Sequence, residues 1–337
     1  MLSYKHLLLV CSIATCSMFT ACKQETVKDT DKEHVDSLEA LNGGPIDTAV
    51  AINMNSPNAD ESILLRLNPE KGATYTIETS ASFFSDESMD TFRMRGNSTK
   101  WVKSTLLVKS NDADKVIFEY TLTDARKTVK SDSGTLNYAY GKAMADPNKD
   151  IDRKIEDCLM QSPLTLTLDK FGTGSDVDGY ELILKKVKAI VGPNVPDQVI
   201  AANLGSPTEN VEYLFITYPE QAVKIGDTWK NDLPSIMQGV PIILSTTYTL
   251  ADRRDGVAYL NFETAISVDK SQLPAEMAAE VDNIKFNAWI KGTGQVDEKT
   301  GFPFLMQVKQ SMEVRDSYQG VDTHSKQSGT TTIKLIK

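Results

Sequence analysis

From Ser62 onward, apolar and polar residues alternate over short runs that end at Gly, Asn or Asp. Val, Ile, Thr, Tyr, Phe and Leu recur at every second position in KVIFEYTLT, TLTLDKF and FLMQVKQSMEV, among other runs. A strand with one face toward water and one toward a core has this period, and antiparallel sheets are built from such strands. The folded part of the chain is therefore predicted to be mainly antiparallel β, and YELILKKVKAIV (180–191) is interpreted as one of its strands.

Two intervals break this alternation and are predicted to be helices. In KDIDRKIEDCLMQSP, four apolar residues share one helical face: Ile151, Ile155, Cys158 and Leu159. In SQLPAEMAAEVDNI, Pro274 suits a first helical turn, and Met277, Val281 and Ile284 share a face. A further short helical turn is expected near PDQVIAAN (196–203).

Three pairs of segments match between the two halves of the chain, in the same order. KGATYTI from Lys71 matches IGDTWKN from Ile225, and LLVKSNDADKVIFEYTLT from Leu106 matches YTLADRRDGVAYLNFETAIS from Tyr248. The third pair is TLTLDKFGTGSDVDGYELILKKV (165–187) and FNAWIKGTGQVDEKTGFPFLMQV (286–308). This order predicts an internal duplication, with β-rich halves at 61–205 and 206–337 that form one continuous domain.

Long amphipathic strands in two similar halves predict a mainly β (β-rich α+β) fold: a strongly curved antiparallel sheet or open barrel. A few helices are expected to pack on one face and cover its concave, apolar side, because an exposed apolar face of that size would drive aggregation. A sandwich of two sheets is the alternative architecture.

The N-terminus, MLSYKHLLLVCSIATCSMFTAC, has a basic residue, Lys5, before an apolar run that is too short to span a membrane. Residues 1–21 are predicted to be a signal peptide cleaved between Ala21 and Cys22, since FTAC resembles a bacterial lipobox. The resemblance implies a lipid (palmitate) anchor on Cys22. Residues 22–60 are polar, acidic and free of aromatic residues, as expected of a flexible tether. An ordinary cleaved signal with a chance cysteine is the alternative.

Removal of the signal and acylation of Cys22 would leave Cys158 as the remaining thiol, so no disulfide is expected. A buried core role is favoured for Cys158 over a catalytic one. The formal net charge of −10 argues against nucleic acid as a partner, because binding a phosphate backbone needs a basic surface.

Motifs that carry familiar chemistry are absent: the sequence contains no GxSxG, Walker loop, HExxH or CxxC, and it contains three histidines. No catalytic residue, cofactor or metal site is therefore predicted. A pair of carboxylates in a glycan hydrolase is the least favoured alternative. Trp101, Trp229 and Trp289 fit a sugar-stacking platform, but a core role is favoured for Trp229 and Trp289.

The stretch KFGTGSDVDGY (Lys170–Tyr180) has the composition of a calcium or phosphate loop. It lacks two of the ligands of an EF-hand, and a phosphate loop needs a helix directly after the glycines, where a strand is predicted. We interpret it as a hairpin connection in which glycines supply positive φ angles and Asp side chains cap the turn. A weak cation site at Asp176 and Asp178 is the alternative.

The motifs FTAC, LRLNPEKGATYTI, PEQAVKIGDTW and GTGQVDEKTGFPF resemble an uncharacterised group of Bacteroidota-type lipoproteins that share a domain of unknown function. The resemblance implies an exported, membrane-anchored, β-rich protein with no assigned catalytic residue. Lys23, rather than aspartate, follows the lipidated position, which implies the outer membrane and leaves its periplasmic or surface face open.

These observations favour a non-catalytic lipoprotein that binds an apolar or amphipathic ligand, such as a lipid or a hydrophobic segment of another protein. The alternative is a structural or interaction subunit of an outer-membrane assembly, with an outer-membrane protein as its partner.

Overall fold

The computed structural model describes residues 49–90, 92–132, 134–143, 147–196, 200, 215–237, 240–273, 285–318 and 321–336. The predicted signal peptide and lipidation site, including Ala21 and Cys22, lie outside these residues. Most of the predicted helix in SQLPAEMAAEVDNI also lies outside them, and so does most of PDQVIAAN. Of the first of these intervals, residues 271–273 are described, and Ser271 and Gln272 belong to a short 3-10 helix, Lys270–Gln272.

Alternation produces strands, as predicted. The first part of the chain contains β1 (Thr74–Met89), β2 (Phe92–Asn111), β3 (Lys115–Ser131), β4 (Gly134–Ala139), α1 (Pro147–Asp157), β5 (Leu164–Asp169), β6 (Gly174–Asp178) and α2 (Tyr180–Val191). The second contains β7 (Thr228–Met237), β8 (Val240–Arg254), β9 (Val257–Val268), β10 (Lys285–Asp297), β11 (Phe302–Tyr318) and β12 (Val321–Ile336).

All twelve strands belong to one open antiparallel sheet rather than two. Its order is β6-β5-β3-β2-β1-β12-β11-β10-β9-β8-β7, and β4 pairs with β3 beside this path. The mainly β, antiparallel prediction is confirmed. The sandwich of two sheets is wrong, because β12 pairs with both β1 and β11 and so joins the halves.

The sheet is strongly rolled. Phe118 on β3 and Phe302 on β11 are four strand spacings apart in the sheet order, which is roughly 19 Å in a flat sheet. Their ring centroids are 6.0 Å apart, and Phe302 also stacks on Tyr75 of β1 at 4.7 Å. The sheet therefore curls toward the face that carries these rings, which we call the inner face.

The inner face holds one hydrophobic core. Its fully buried side chains come from both halves and from the segment before β1: Leu65, Leu67, Ile77, Leu106, Phe118, Tyr120, Leu250, Leu260 and Met306. The opposite, outer face carries mainly charged, hydroxyl and amide side chains on the alternate residues of the same strands, with Phe84, Trp101 and Trp289 among them. This division follows from the period of two in the sequence.

Helix α1 confirms the prediction for KDIDRKIEDCLMQSP, although Ile151 is 45% exposed and Cys158 lies just after the helix. The interpretation of YELILKKVKAIV as a strand is wrong, because these residues form α2. Ile183 and Val187, one helical turn apart, are buried in the inner core. The run contains both periods, and burial of the 3.6-residue stripe against the sheet selected the helix.

The first two matched segment pairs occupy equivalent positions in the sheet. The backbone N–H of Gly72 donates to Val108 on β2, and that of Gly226 donates to Leu250 on β8, at 2.8 Å in both cases. A register shift follows directly in each half, between Val108 and Ser110 and between Leu250 and Asp252. The two meanders β1-β2-β3 and β7-β8-β9 therefore share their register details.

Residues 50–60, which the sequence assigns to the flexible tether, pack on the β8–β9 hairpin. Asn53 donates its backbone N–H to Ala251 at 2.9 Å, and buried Ser56 donates its hydroxyl to the Arg253 carbonyl at 2.9 Å. Asn261 binds both backbone groups of Val50 through its side-chain amide. Among the described residues, no helix is long and apolar enough to cross a membrane.

Candidate functional site

Two hairpin turns from different halves meet at one end of the rolled sheet. In the β5–β6 turn, Oδ1 of Asp169 accepts the N–H groups of Phe171 and Thr173, at 2.9 and 2.8 Å. In the β10–β11 turn, Oδ1 of Asp297 accepts the N–H and hydroxyl of Thr300, at 2.8 and 2.7 Å. Each turn closes with a glycine at positive φ, which is Gly172 (82°) in the first and Gly301 (60°) in the second.

Each turn is braced by the segment that leads into the other half. Asn68, before β1, donates its backbone N–H to Thr300 at 2.6 Å, and Tyr218, before β7, donates to Phe171 at 2.7 Å. A Cβ at Gly301 would overlap the carbonyl oxygen of Arg66, and a Cβ at Gly172 would overlap that of Ile216. We call these four segments, 63–68, 170–173, 215–219 and 298–301, the turn junction.

The turn junction also bridges the two edges of the open sheet. Tyr218 binds the turn before edge strand β6, and the indole of Trp229 on edge strand β7 donates to the Thr217 carbonyl at 2.7 Å. Tyr218 is buried and donates its hydroxyl to the Gly301 carbonyl at 2.5 Å. Burial raises the pKa of the Tyr218 phenol, which keeps it a neutral donor.

A groove of about 600 Å³ opens at the turn junction. It is lined by Leu64, Arg66, Leu67, Asn68, Ala113, Asp114, Asp169, Lys170, Phe171, Glu298 and Lys299. Arg66 donates to three carbonyl oxygens, those of Leu65, Pro219 and Glu220, at 2.6 Å each, and its guanidinium lies 4.3 Å from the centre of the Phe171 ring. Burial lowers the pKa of Arg66 from its usual value.

The polar side chains of this groove are largely committed to structural contacts. Lys170 donates to Oδ1 of Asn111, and Glu298 accepts two hydrogen bonds from Arg253, at 2.9 and 3.1 Å. Asn111 and Arg253 follow the equivalent register shifts on β2 and β8, so the two contacts occupy corresponding positions in the two halves. Each of these two contacts lies within one half, whereas Arg66, which donates to Pro219 and Glu220, connects the two halves at this groove.

The hairpin interpretation of KFGTGSDVDGY is confirmed for its positive-φ glycine, Gly172, whereas the aspartate that caps the turn is Asp169, one residue before the stretch. The partner strand is β6, which lies within the quoted stretch, and α2 begins directly after Gly179. The argument that a strand follows the glycines is therefore wrong. No side chain caps the N-terminus of α2. Asp176 and Asp178 are exposed on β6, and no cluster of three or more metal-ligating side chains occurs in the described residues.

The predicted core and aromatic residues divide between the two faces. Cys158 is buried, its thiol donates to the Lys154 carbonyl at 3.2 Å, and burial raises its pKa. Trp229 lies on the inner face and stacks on Tyr248 at 5.5 Å, as expected of a core residue. Trp101 and Trp289 lie on the outer face of β2 and β10, so the three tryptophans do not form one platform, and the core role expected for Trp289 is wrong.

The inner face continues toward the far end of the sheet, opposite the turn junction, beyond the most deeply buried core. There the apolar side chains are half-buried rather than buried: Phe83, Met94, Leu244, Ile266, Phe286, Ala288, Ile290, Met312 and Val314. Phe286 pairs with Val314 and Ala288 with Met312, whereas β12 and β1 carry Ser325, Gln327, Ser85 and Glu87 in the same rows, so the apolar side chains are grouped mainly on β8–β11. A surface of this kind suits contact with apolar molecules.

Sequence reasoning missed Arg66, Arg253 and Glu298. Arg253 and Glu298 are 45 residues apart, and Arg66 is 153 residues from Pro219. Single charged residues in polar turns carry no sequence signal for such pairings, which arise when the sheet rolls.

The fold is similar to those of several solved structures, all at low sequence identity. It is 10% identical to a chain of lipovitellin, from a structure of lipid–protein interactions, over 80% of this chain and 25% of that one, with a TM-score of 0.46. The chain thus spans about a quarter of lipovitellin's length. An outer membrane channel from Pseudomonas putida F1 is 9% identical over 80% of this chain and 97% of that one, with a TM-score of 0.24.

No curated protein matches the sequence. The model of the family of unknown function DUF6263 matches residues 113–303, which is more than half of the chain and runs from the β2–β3 turn into β11. The chain therefore belongs to the DUF6263 family.

Proposed function

We propose that the chain is an exported lipoprotein, anchored to the outer membrane through Cys22, whose rolled sheet holds an apolar or amphipathic ligand without catalysing a reaction. The observation that carries the proposal is the half-buried apolar surface at the far end of the inner face. Apolar area that remains partly accessible in a folded protein is a characteristic of binding surfaces.

The geometry favours a ligand that enters between the walls of the rolled sheet. At the turn-junction end, the inner face is filled by side chains such as Phe118, Tyr120 and Met306, which are almost completely buried. At the far end the rows of the same face remain half-buried, from Leu244 on β8 across to Met94 on β2. A lipid chain or an apolar segment of another protein matches such a surface by burying apolar area in proportion to its length.

Filling this surface is expected to exclude the ligand. In the full chain carrying Cys22→Ser, which removes the predicted lipidation site, Ala288→Trp places an indole on the inner face. The neighbouring Asn287→Trp places one on the exposed outer face of the same strand. We expect Ala288→Trp to weaken binding of the fluorescent fatty acid cis-parinaric acid by at least about tenfold, since about 1.4 kcal/mol of lost contact suffices for that factor.

Asn287→Trp is the matched control and should bind as the parent does. Both variants share the same N-terminal segment, so a difference between them reports on the sheet. Equal binding in both variants, or a parent that neither binds the probe nor co-purifies with extractable lipid by mass spectrometry, would reject the ligand site.

Lipid attachment is expected at Cys22. Cells grown with labelled palmitate should incorporate the label into the wild-type chain, and Cys22→Ser should remove it completely, because the acyl chain is attached through that cysteine. Cys158→Ser is the control and should keep the label, since Cys158 is a buried thiol of the folded body. The anchor is contradicted if the label persists in Cys22→Ser or if the wild-type chain takes up no label. The outer-membrane location is contradicted if the labelled chain sediments with the inner membrane.

A further inference from the structure

The outer face of the five middle strands, in the order β2-β1-β12-β11-β10, is strongly basic. We call this surface the outer belt. It consists of six rows of side chains that face each other across neighbouring strands. The first row contains Lys103, Glu78 and Lys334, and the last contains Arg93, Ser88, His324, Arg315 and Lys285. The cations of the outer belt are Arg93, Arg95, Lys103, Lys285, Lys291, Lys309, Arg315, Lys326 and Lys334, and its carboxylates are Glu78, Asp86 and Glu313.

Nine cations against three carboxylates give the outer belt a formal charge of +6, whereas the whole chain carries −10. Widening the belt to β3 and β9 adds two cations, Arg126 and Lys130, and two carboxylates, Asp124 and Glu263, so the charge stays at +6. The surface thus stays positive when it is widened across the sheet, and the exposed carboxylates just beyond the far end of these strands, Asp90, Asp132 and Asp322, lower the total to +3.

The carboxylates of the outer belt leave much of this charge uncompensated. Asp86 binds Arg93 at 2.5 Å and Arg95 at 3.2 Å, and Glu313 binds Arg315 at 2.5 Å and His324 at 3.0 Å. Each of these two acids thus already holds two basic side chains, and Lys291 binds Glu263 on the neighbouring strand β9 at 2.8 Å. Lys326 and Lys334 on β12, the middle strand of the belt, are exposed.

We propose that the outer belt binds the anionic headgroups of a lipid bilayer. Its cations are spread over about 19 Å across the strands and about 34 Å along them, on the convex side of the roll. Such dispersed charge matches a surface of many headgroups, each nearby cation contributing to attraction within a Debye length. The choice of a membrane rests on the proposed anchor at Cys22, which would hold the belt near a bilayer at high effective concentration.

The chain provides its own probes for this contact. Trp101 and Trp289 lie on the outer belt, whereas Trp229, the third tryptophan, is stacked on Tyr248 at the inner face. Vesicles of phosphatidylcholine alone, or with 30% phosphatidylglycerol, are prepared with a spin label on the headgroup, which quenches nearby indoles. We expect the anionic vesicles to quench the full chain at least twice as strongly as the neutral ones, and 1 M salt to remove the difference.

Removal of Trp101 and Trp289 by substitution with Phe should abolish the difference, which assigns it to the outer belt. Lys309→Gln, Lys326→Gln and Lys334→Gln together should reduce the difference at least twofold. The matched control, Lys71→Gln, Lys115→Gln and Lys224→Gln, removes the same charge from exposed positions near the turn-junction end and should leave it unchanged.

Equal quenching by neutral and anionic vesicles, or an unchanged response of the β11–β12 triple variant, overturns the proposal. Binding of soluble dextran sulfate by a chain that anionic vesicles do not quench also overturns it, and assigns the outer belt to an acidic polysaccharide. Palmitate labelling of the wild-type chain separates the two proposals. Charge-dependent quenching in a wild-type chain that takes up no label rejects the anchor alone, and its absence in a palmitoylated wild-type chain rejects the belt alone.

Discussion

Gly301→Ala is expected to lower the free energy of unfolding by at least about 3 kcal/mol. Gly301 has a φ of 60°, and an L-residue in the left-handed region costs roughly 1–2 kcal/mol. The larger part comes from the overlap between the new Cβ and the carbonyl of Arg66, which no side-chain rotation relieves. The backbone must move, and the hydrogen bond from Asn68 to Thr300 is the contact it disturbs.

Gly256→Ala isolates the two contributions. Gly256 lies in the β8–β9 turn at a φ of 74°, and a Cβ there has open space around it. It should therefore cost only the conformational part, roughly 1–2 kcal/mol. Urea unfolding of the full chain, followed by circular dichroism, compares the two midpoints. Equal midpoints for Gly256→Ala and Gly301→Ala would mean that the turn junction is not braced as described.

Arg253→Met is expected to lower the free energy of unfolding by about 3–5 kcal/mol, the usual cost of breaking a buried ion pair from one side. The Arg253 side chain is 8% exposed and donates to both oxygens of Glu298 and, at 2.9 Å, to the carbonyl of Glu61. Methionine keeps most of the volume but leaves the Glu298 carboxylate, 17% exposed, without this partner. The loss should also loosen residues 50–60, which bind the same hairpin.

Two further variants make this test specific. Arg253→Met with Glu298→Leu should recover part of the loss, because the unpaired carboxylate is then gone. Arg315→Met, in which the arginine bound to Glu313 is 62% exposed, should change the free energy of unfolding by about 0–1 kcal/mol. If Arg253→Met and Arg315→Met have the same unfolding midpoint, Arg253 contributes no more than a surface charge.

Much of the sheet was predictable because strands and turns are determined by neighbouring residues. Alternation predicted the strands, and the matched segments at Gly72 and Gly226 do lie at equivalent positions, where the structure adds equivalent register shifts after Val108 and Leu250. In the third pair, the aligned GTG motifs are not equivalent, since Gly292 lies within β10 and the counterpart of Gly172 is Gly301. The alignment matched two identical GTG sequences, but the geometry of each turn depends on the capping aspartate and on the glycine that closes the turn.

The helix α2 shows where local pattern was insufficient. Eight of the twelve residues of YELILKKVKAIV are apolar or aromatic, so both a period of two and a period of 3.6 fit the run. Ile183 and Val187 are buried, whereas Leu182 is 49% and Ile190 is 37% exposed. Only the surface available on the inner face of the sheet decided between the two periods.

By itself, the sequence determined an antiparallel sheet with one apolar and one polar face, because side-chain direction alternates with residue number in any strand. It also determined the Asp-capped, glycine-closed hairpin turns, since their contacts lie within five residues. The tertiary structure alone decided the roll that brings Phe118 to Phe302, the reciprocal bracing of the turns, and the Arg253–Glu298 pair. These contacts join residues that are far apart in the chain. Their energies depend on the burial of these side chains, which exists only once the sheet has rolled around its core.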